Sequence, residues 1–311
     1  MKSRAAVIAL VLILAVAAPF AIYPVFLMKA LCFALFAVAF NLLLGYGGLL
    51  SFGHAAFFGM ASYVCGHAMT RWGVTPEIAI LAGMAAAGVM GLAFGYIAIR
   101  RQGIYFAMVT LALAQMVYFF CLQAPFTHGE DGIQAIPRGA LFGLLPLDNP
   151  QTLYYFVLAV FTAGCAIVWR TVHSPFGQVL RAIRENEPRA ISLGYRTKHY
   201  KLLAFGLSAS LAGLAGATKA LVFQLASLTD VHWHTSGEVV LMTLLGGMGT
   251  VLGPIAGAFV VVMIENKFAD AGDWVTILQG LIFIAVVLLF RKGIVGEAVE
   301  WWHRRRRQEV A

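Results

Sequence analysis

The sequence predicts an all-α fold: a polytopic helical membrane protein of about 8–10 transmembrane helices, with re-entrant segments among them. Three observations predict it. Hydrophobic residues make up 61% of the 311-residue chain and charged residues 12%, with a mean hydropathy of +0.84. Apolar runs of about 20 residues, the length that crosses a bilayer as a helix, recur from end to end. Basic residues gather at the ends of those runs, where membrane topology places them. That placement also accounts for the formal net charge of +8 without a nucleic-acid partner.

Taken in order, spans are expected near 5–25, 29–46, 49–68, 78–99, 103–123, 152–171, 201–223, 237–249, 253–267 and 274–291. Lys2 and Arg4 precede an apolar run from Ala5 to Ala18, as in a signal peptide. The run continues through Phe20, Ile22 and Tyr23 with no polar cleavage region, so an uncleaved first span is expected. The stretches 237–249 and 253–267 are short, and read either as two crossings or as one re-entrant hairpin. Both readings return the chain to the same side. The whole of 1–311 is read as one transmembrane domain. It carries a cytoplasmic segment at 172–200, a periplasmic loop at 124–151 and a cytoplasmic basic tail at 292–311.

The positive-inside rule orients this map with both termini in the cytoplasm. Lys2, Arg4, Arg100, Arg101, Arg170, Arg181, Arg184, Arg189, Arg196, Lys198, Lys201, Arg291, Lys292 and Arg304 to Arg307 then lie inside, 17 of the 22 basic residues. Lys29, Arg71, Arg138 and Lys267 fall outside, and Lys219 falls within a span.

The largest polar island, Ser174 to Lys201, is expected to form two short helices. Ser174 is a natural N-cap and Pro175 suits a first helical turn. Phe176, Val179, Leu180 and Ile183 recur at i, i+3, i+4 and i+7, and so share one helical face. Pro188 cannot continue that helix but can open a second one ending near Gly194. An amphipathic helix between spans either lies on lipid or docks into a groove of a soluble partner. The mixed charges Arg181, Arg184, Glu185 and Glu187 favour a protein partner, with the apolar face supplying groove anchors.

Small residues repeat every four positions at Gly83, Ala87, Gly91 and Gly95, again at Ala209, Gly213 and Ala217, and at Gly253 and Gly257. Such stripes let helix backbones approach closely. Two glycine-rich turns, Leu44 to His54 and Leu245 to Pro254, resemble each other. They read either as walls of a translocation path or as tight inter-helix turns.

The sequence carries no phosphate-binding GxxxxGK[ST] loop, no GxSxG elbow and no HExxH. An enzyme reading therefore has no motif behind it, and no cofactor or metal is expected. Cys32, Cys65, Cys121 and Cys165 lie far apart in apolar runs and read as inert thiols. Ionisable residues within spans, which a proton- or sodium-coupled carrier would use, are few: His54, Lys219, Glu238 and Glu265. Lys219 is expected to snorkel, Glu238 to open a helix where its charge suits the dipole, and His54 to be a packing histidine. Energy supplied by another chain is the reading left, with a self-contained secondary transporter as its competitor.

Five stretches together resemble the permease subunits of branched-chain amino acid ABC importers, of the LivM type. They are Asn41 to Gly59, Gly103 to Ala112, Thr127 to Ile133, Ser174 to Phe205 and Gly246 to Gly257. The chain departs from the pattern at Thr127-His128-Gly129, where the family often shows Thr-Gly-Gly. The resemblance implies a multi-pass permease of the bacterial inner membrane, working beside a second related permease subunit. Two cytoplasmic ABC ATPase subunits would drive it and a periplasmic substrate-binding protein would deliver an amino-acid substrate. Urea or short amides are alternative cargoes within the family. Phe176, Val179, Leu180, Arg181, Ile183, Arg184 and Glu185 would form the ATPase-coupling surface. Asn41, Ser51, His54, Thr110 and Gln115 are the polar groups expected along the translocation path.

Overall fold

The computed structural model describes residues 15–268 apart from 21 and 144, and beyond them 277, 280, 281, 284 and 293. Most of the expected 5–25 span, the 274–291 span and the 292–311 tail lie outside the described residues. Ten α-helices are described: α1 Pro24–Asn41, α2 His54–Arg71, α3 Pro76–Ala98, α4 Ile104–Gln123, α5 Pro150–Val172, α6 Pro175–Glu185, α7 Glu187–Ser192, α8 Thr197–Phe223, α9 Trp233–Gly246 and α10 Leu252–Lys267. Among the described residues, five helical segments are long and apolar enough to cross a membrane: Pro24–Tyr46, α3, α4, α5 and α8.

The centre of the bundle is α1, α2 and α8. From Ala30 to Asn41 every residue of α1 is buried, as a helix apolar on all sides must be. It starts at Pro24, earlier than expected, because proline suits a first helical turn. Its last turn widens into a π-helical turn at Leu42–Tyr46. The expected 49–68 span begins only at His54, since Gly48 takes a φ of +69° and the chain stays irregular to Gly53. With 18 residues, two histidines and Arg71, α2 is less apolar than its neighbours. It does not need to be more so, because protein rather than lipid surrounds it on nearly every face.

The two small-residue stripes face each other. A Cβ on Gly83 would lie 3.1 Å from that of Ala217, one on Gly91 would collide with Ala209, and one on Gly213 with Ala87. Gly95 meets Leu202 and Phe205. As the α3 positions rise, their α8 partners fall, so α3 and α8 pack antiparallel in a single register. Close backbone approach of this kind is the main source of helix association where lipid supplies no hydrophobic drive. Outward faces of α3, α4 and α5 expose Val89, Met108, Phe119 and Trp169.

With 14 and 16 residues, α9 and α10 are roughly 21 and 24 Å long at 1.5 Å per residue. Neither reaches the length of about 20 residues that a full crossing needs. They form a tight hairpin, because Gly246 abuts Gly253 and Gly257 abuts the Met242 carbonyl. The hairpin leans on α1.

At the end of the bundle away from α6 and α7, the 124–151 stretch is a structured loop. Thr127, fully buried, donates to the Cys121 carbonyl at 2.5 Å. Strand β1 Ile133–Gln134 pairs antiparallel with β4 Leu225–Ala226, and β2 Ala140–Leu141 with β3 Leu145–Pro146. Gly132 has a φ of +67° and its Cβ position would collide with the Ala226 carbonyl, so only glycine fits there.

Candidate functional site

The segment 174–194 folds as its residues dictate. The Ser174 hydroxyl accepts from the Gly177 amide and caps α6. Helix α6 ends at Asn186, whose side chain accepts from the Arg189 amide and caps α7. Pro188 sits in the first turn of α7, and Gly194 takes a φ of +88° after its end. One expectation is corrected. Phe176, Val179, Leu180 and Ile183 do not present an open apolar face. Leu180 and Ile183 are buried within the chain itself, and Phe176 stacks on Tyr200 of α8 at 5.6 Å between ring centroids. The apolar face therefore bolts α6 onto the bundle. Gln178, Arg181, Ala182, Arg184 and Glu185 are exposed.

A part-buried ion pair missed by the sequence reading holds the second half of the segment. Lys201, expected on the cytoplasmic surface, is only 5% exposed and donates to Glu187 at 2.6 Å. Gln102, in the α3–α4 connection, donates to the same carboxylate at 2.8 Å. An apolar helix that opens on Lys198 and Lys201 at the level of an acidic residue was the available signal.

From α6, contacts run directly to the glycine-rich turns. Arg181 lies over the Tyr46 ring at 4.9 Å. The Arg184 guanidinium donates to the Gly45 carbonyl, and its stem covers Gly48. A cation at this position faces the negative end of the α1 helix dipole. The two glycine turns meet here. Asn41 donates to the Thr250 carbonyl at 2.8 Å and accepts from the Gly249 amide at 3.0 Å. The turns are packed so closely that a side chain on Gly45 would strike Asn41 and the Gly249 amide. Helix α6, the end of α1 and the α9–α10 turn thus form one junction.

Four of the five polar groups expected along a path are fully buried in this conformation: Asn41, Ser51, His54 and Thr110. Each joins backbone or helices. Thr110 accepts from the Phe52 amide at 3.1 Å and donates to the Ala107 carbonyl. Ser51 accepts from the Gly53 amide at 3.2 Å. His54 Nε2 lies 2.9 Å from the Ser208 hydroxyl, which itself donates to the Ala39 carbonyl at 2.6 Å. The Ser208 proton is thereby used, so Nε2 of His54 is the donor. Phe40, Phe57 and Phe205 surround the ring. No described carboxylate pairs with it, and a charged imidazole there would go uncompensated. Gln115 is half-buried on α4 and stands apart from the junction.

The remaining ionisable groups gather at the opposite end, around a cavity of about 670 Å³ between α1, α8, α9 and α10. Lys219 does not snorkel: it donates to both oxygens of Asp230 at 2.7 Å. Lys29 pairs with Glu265 at 3.1 Å. Glu238, expected to serve a helix dipole, instead lies 3.3 Å from His234. That hydrogen bond raises the His234 imidazole above its ordinary pKa, against a smaller opposing effect of burial.

These features define the class: a helical membrane protein whose amphipathic segment is bolted to its long apolar helices. The particular family follows from comparison. The branched-chain amino acid transport system permease component family matches residues 22–289. The chain belongs to this family, and is a permease subunit rather than an enzyme. It is 26% identical over 291 residues to the high-affinity branched-chain amino acid transport system permease protein LivM of Escherichia coli (strain K12), covering 85% of this chain and 67% of the relative. The LivM of Salmonella typhimurium is similar to the same extent. The autoinducer 2 import system permease protein LsrC of Klebsiella pneumoniae is 27% identical over 202 residues, 62% of this chain and 56% of that relative. No solved structure matches the chain with significance.

Proposed function

We propose that this chain is a permease subunit of an ATP-driven importer for branched-chain, aliphatic amino acids. It forms half of a translocation path in the bacterial inner membrane, with both termini in the cytoplasm. A second related permease, two cytoplasmic ABC ATPases and a periplasmic substrate-binding protein complete the machine. The observation that carries the reading is the continuous contact from α6 through Arg184 and Gly45 to Asn41 and Gly249. A push on the exposed face of α6 reaches two glycine turns at membrane depth without crossing a flexible linker. ATP binding on a partner would then bias the junction between two arrangements. Ser51, His54 and Thr110 line the path when the helices they join move apart, and Gln115 faces it from α4.

The amino-acid cargo is supported by the LivM relatives, which align over more of the chain than LsrC does. Affinity purification from native membranes in mild detergent tests the assembly. A second permease with two ATPases is expected. A lone chain that moves leucine without ATP would establish a secondary carrier instead. Competition of uptake by leucine, urea and acetamide then decides the cargo.

A further inference from the structure

The charged cavity at the end opposite α6 has a fixed wall and a loose one. Lys219 and Asp230 form the fixed wall. Their side chains are 11% and 8% exposed, Lys219 reaches both carboxylate oxygens, and Asp230 also accepts from the Ser227 amide in a capping box. Lys29–Glu265 and His234–Glu238 form the loose wall. The pairs close at 3.1 and 3.3 Å, and Lys29 and His234 are 31% and 47% exposed. The two loose pairs adjoin, since all four side chains line the same cavity. Phe33 and Phe223 add apolar surface to the same cavity. Its volume of about 670 Å³ lies within the range of small-molecule sites.

We propose that this cavity is a binding site for a zwitterionic α-amino acid in transit. Lys29 takes the carboxylate, Glu265 and Glu238 take the ammonium, and Phe33 and Phe223 receive the aliphatic side chain. The proposal rests on the amino-acid import reading and names the place where the cargo first meets this chain. Charge balance is the argument. Both signs line the cavity, so a lone anion or cation meets repulsion from half of the wall. A neutral amide would have to part ion pairs and give no charge in return. A zwitterion replaces each partner of a loosely held pair with its own opposite charge, and so keeps every buried charge compensated.

The test uses the purified complex with its co-purifying partners in lipid nanodiscs, without the binding protein, and radiolabelled L-leucine as probe. Binding is expected, with 4-methylpentanoate (no ammonium) and 3-methylbutylamine (no carboxylate) competing at least ten-fold less well than leucine. Removing both charges together in Lys29→Met/Glu265→Met leaves no unpaired ion between these two and is expected to weaken leucine binding ten-fold or more. Elution volume and ATPase co-purification, unchanged from the parent, establish that the variant is folded. Should it fail to fold, Glu238→Gln, on the more exposed pair, is expected to weaken binding several-fold. No leucine binding by the parent complex, full competition by 4-methylpentanoate, or unaltered affinity in a folded variant overturns the site. The import reading fails separately, if the complex with its binding protein shows no ATP-driven leucine uptake.

Discussion

Two residues show how local chemistry sets this chain. His128 holds a left-handed backbone, φ +61°, on the exposed loop after α4. Glycine adopts that conformation freely, which gives a physical reason for the Thr-Gly-Gly seen in the resembling family. His128→Gly is expected to stabilise the protein by about 1 kcal/mol, read as a raised thermal midpoint in detergent. A lowered midpoint would contradict the left-handed turn. Asn41 is the opposite case, a buried amide whose two hydrogen bonds join two turns more than 200 residues apart in sequence. Asn41→Leu leaves the Gly249 amide and the Thr250 carbonyl without that partner, and is expected to cost about 2 kcal/mol. Equal stability of the variant would show that the two turns are held by packing alone. Asn41 was legible as a polar group of interest in an apolar helix. Its partner was not, because nothing in a single sequence pairs position 41 with 249.

At the scale of elements, the glycine stripes and the surface helix make distinct predictions. Gly91→Leu forces a side chain into Ala209 across the α3–α8 contact and is expected to cost about 3 kcal/mol, with a matching loss of folded yield. Val89→Leu, 69% exposed on the same helix, serves as the neutral control. An equal yield from both would mean that α3 and α8 do not pack in this register. On α6, burial separates two kinds of damage. Leu180→Asp buries a charge at a fully buried site, so the segment should lift from the bundle and become protease-sensitive. Glu185→Arg alters only the exposed face and should reduce ATPase co-purification several-fold with protease resistance retained. Undiminished co-purification in Glu185→Arg would place the docking surface elsewhere. The period of the apolar residues located the face correctly, but period alone does not say whether a partner or the chain itself covers it.

For the whole molecule, the junction and the cavity occupy opposite ends of α1, with the α9–α10 hairpin alongside between them. Glu265 and Lys29 tie the hairpin to α1 at one end, and Asn41 ties it at the other. The hairpin and α1 thereby both touch the junction and the charged cavity. Arg184→Ala removes the contact from α6 to Gly45 while leaving the exposed Gln178, Arg181 and Glu185 of α6 in place. ATPase subunits should therefore still co-purify, and leucine uptake per ATP hydrolysed should fall several-fold in proteoliposomes. An unchanged ratio would remove Arg184 from the route by which force is transmitted.

Sequence alone determined the class of fold, the order of most helices and the start and stop of α6 and α7. These depend on composition, period, caps and prolines, which act within a few residues of one another. Tertiary structure decided which sides of those helices are covered, and which charges are paired. Lys201 is held by Glu187, Lys219 by Asp230 and Lys29 by Glu265. It also packed α9 and α10 against α1 and brought two glycine turns onto one asparagine. Such facts depend on contacts between residues far apart in the chain. A helix carries its own period, but the neighbour that buries it is fixed only when the whole bundle closes.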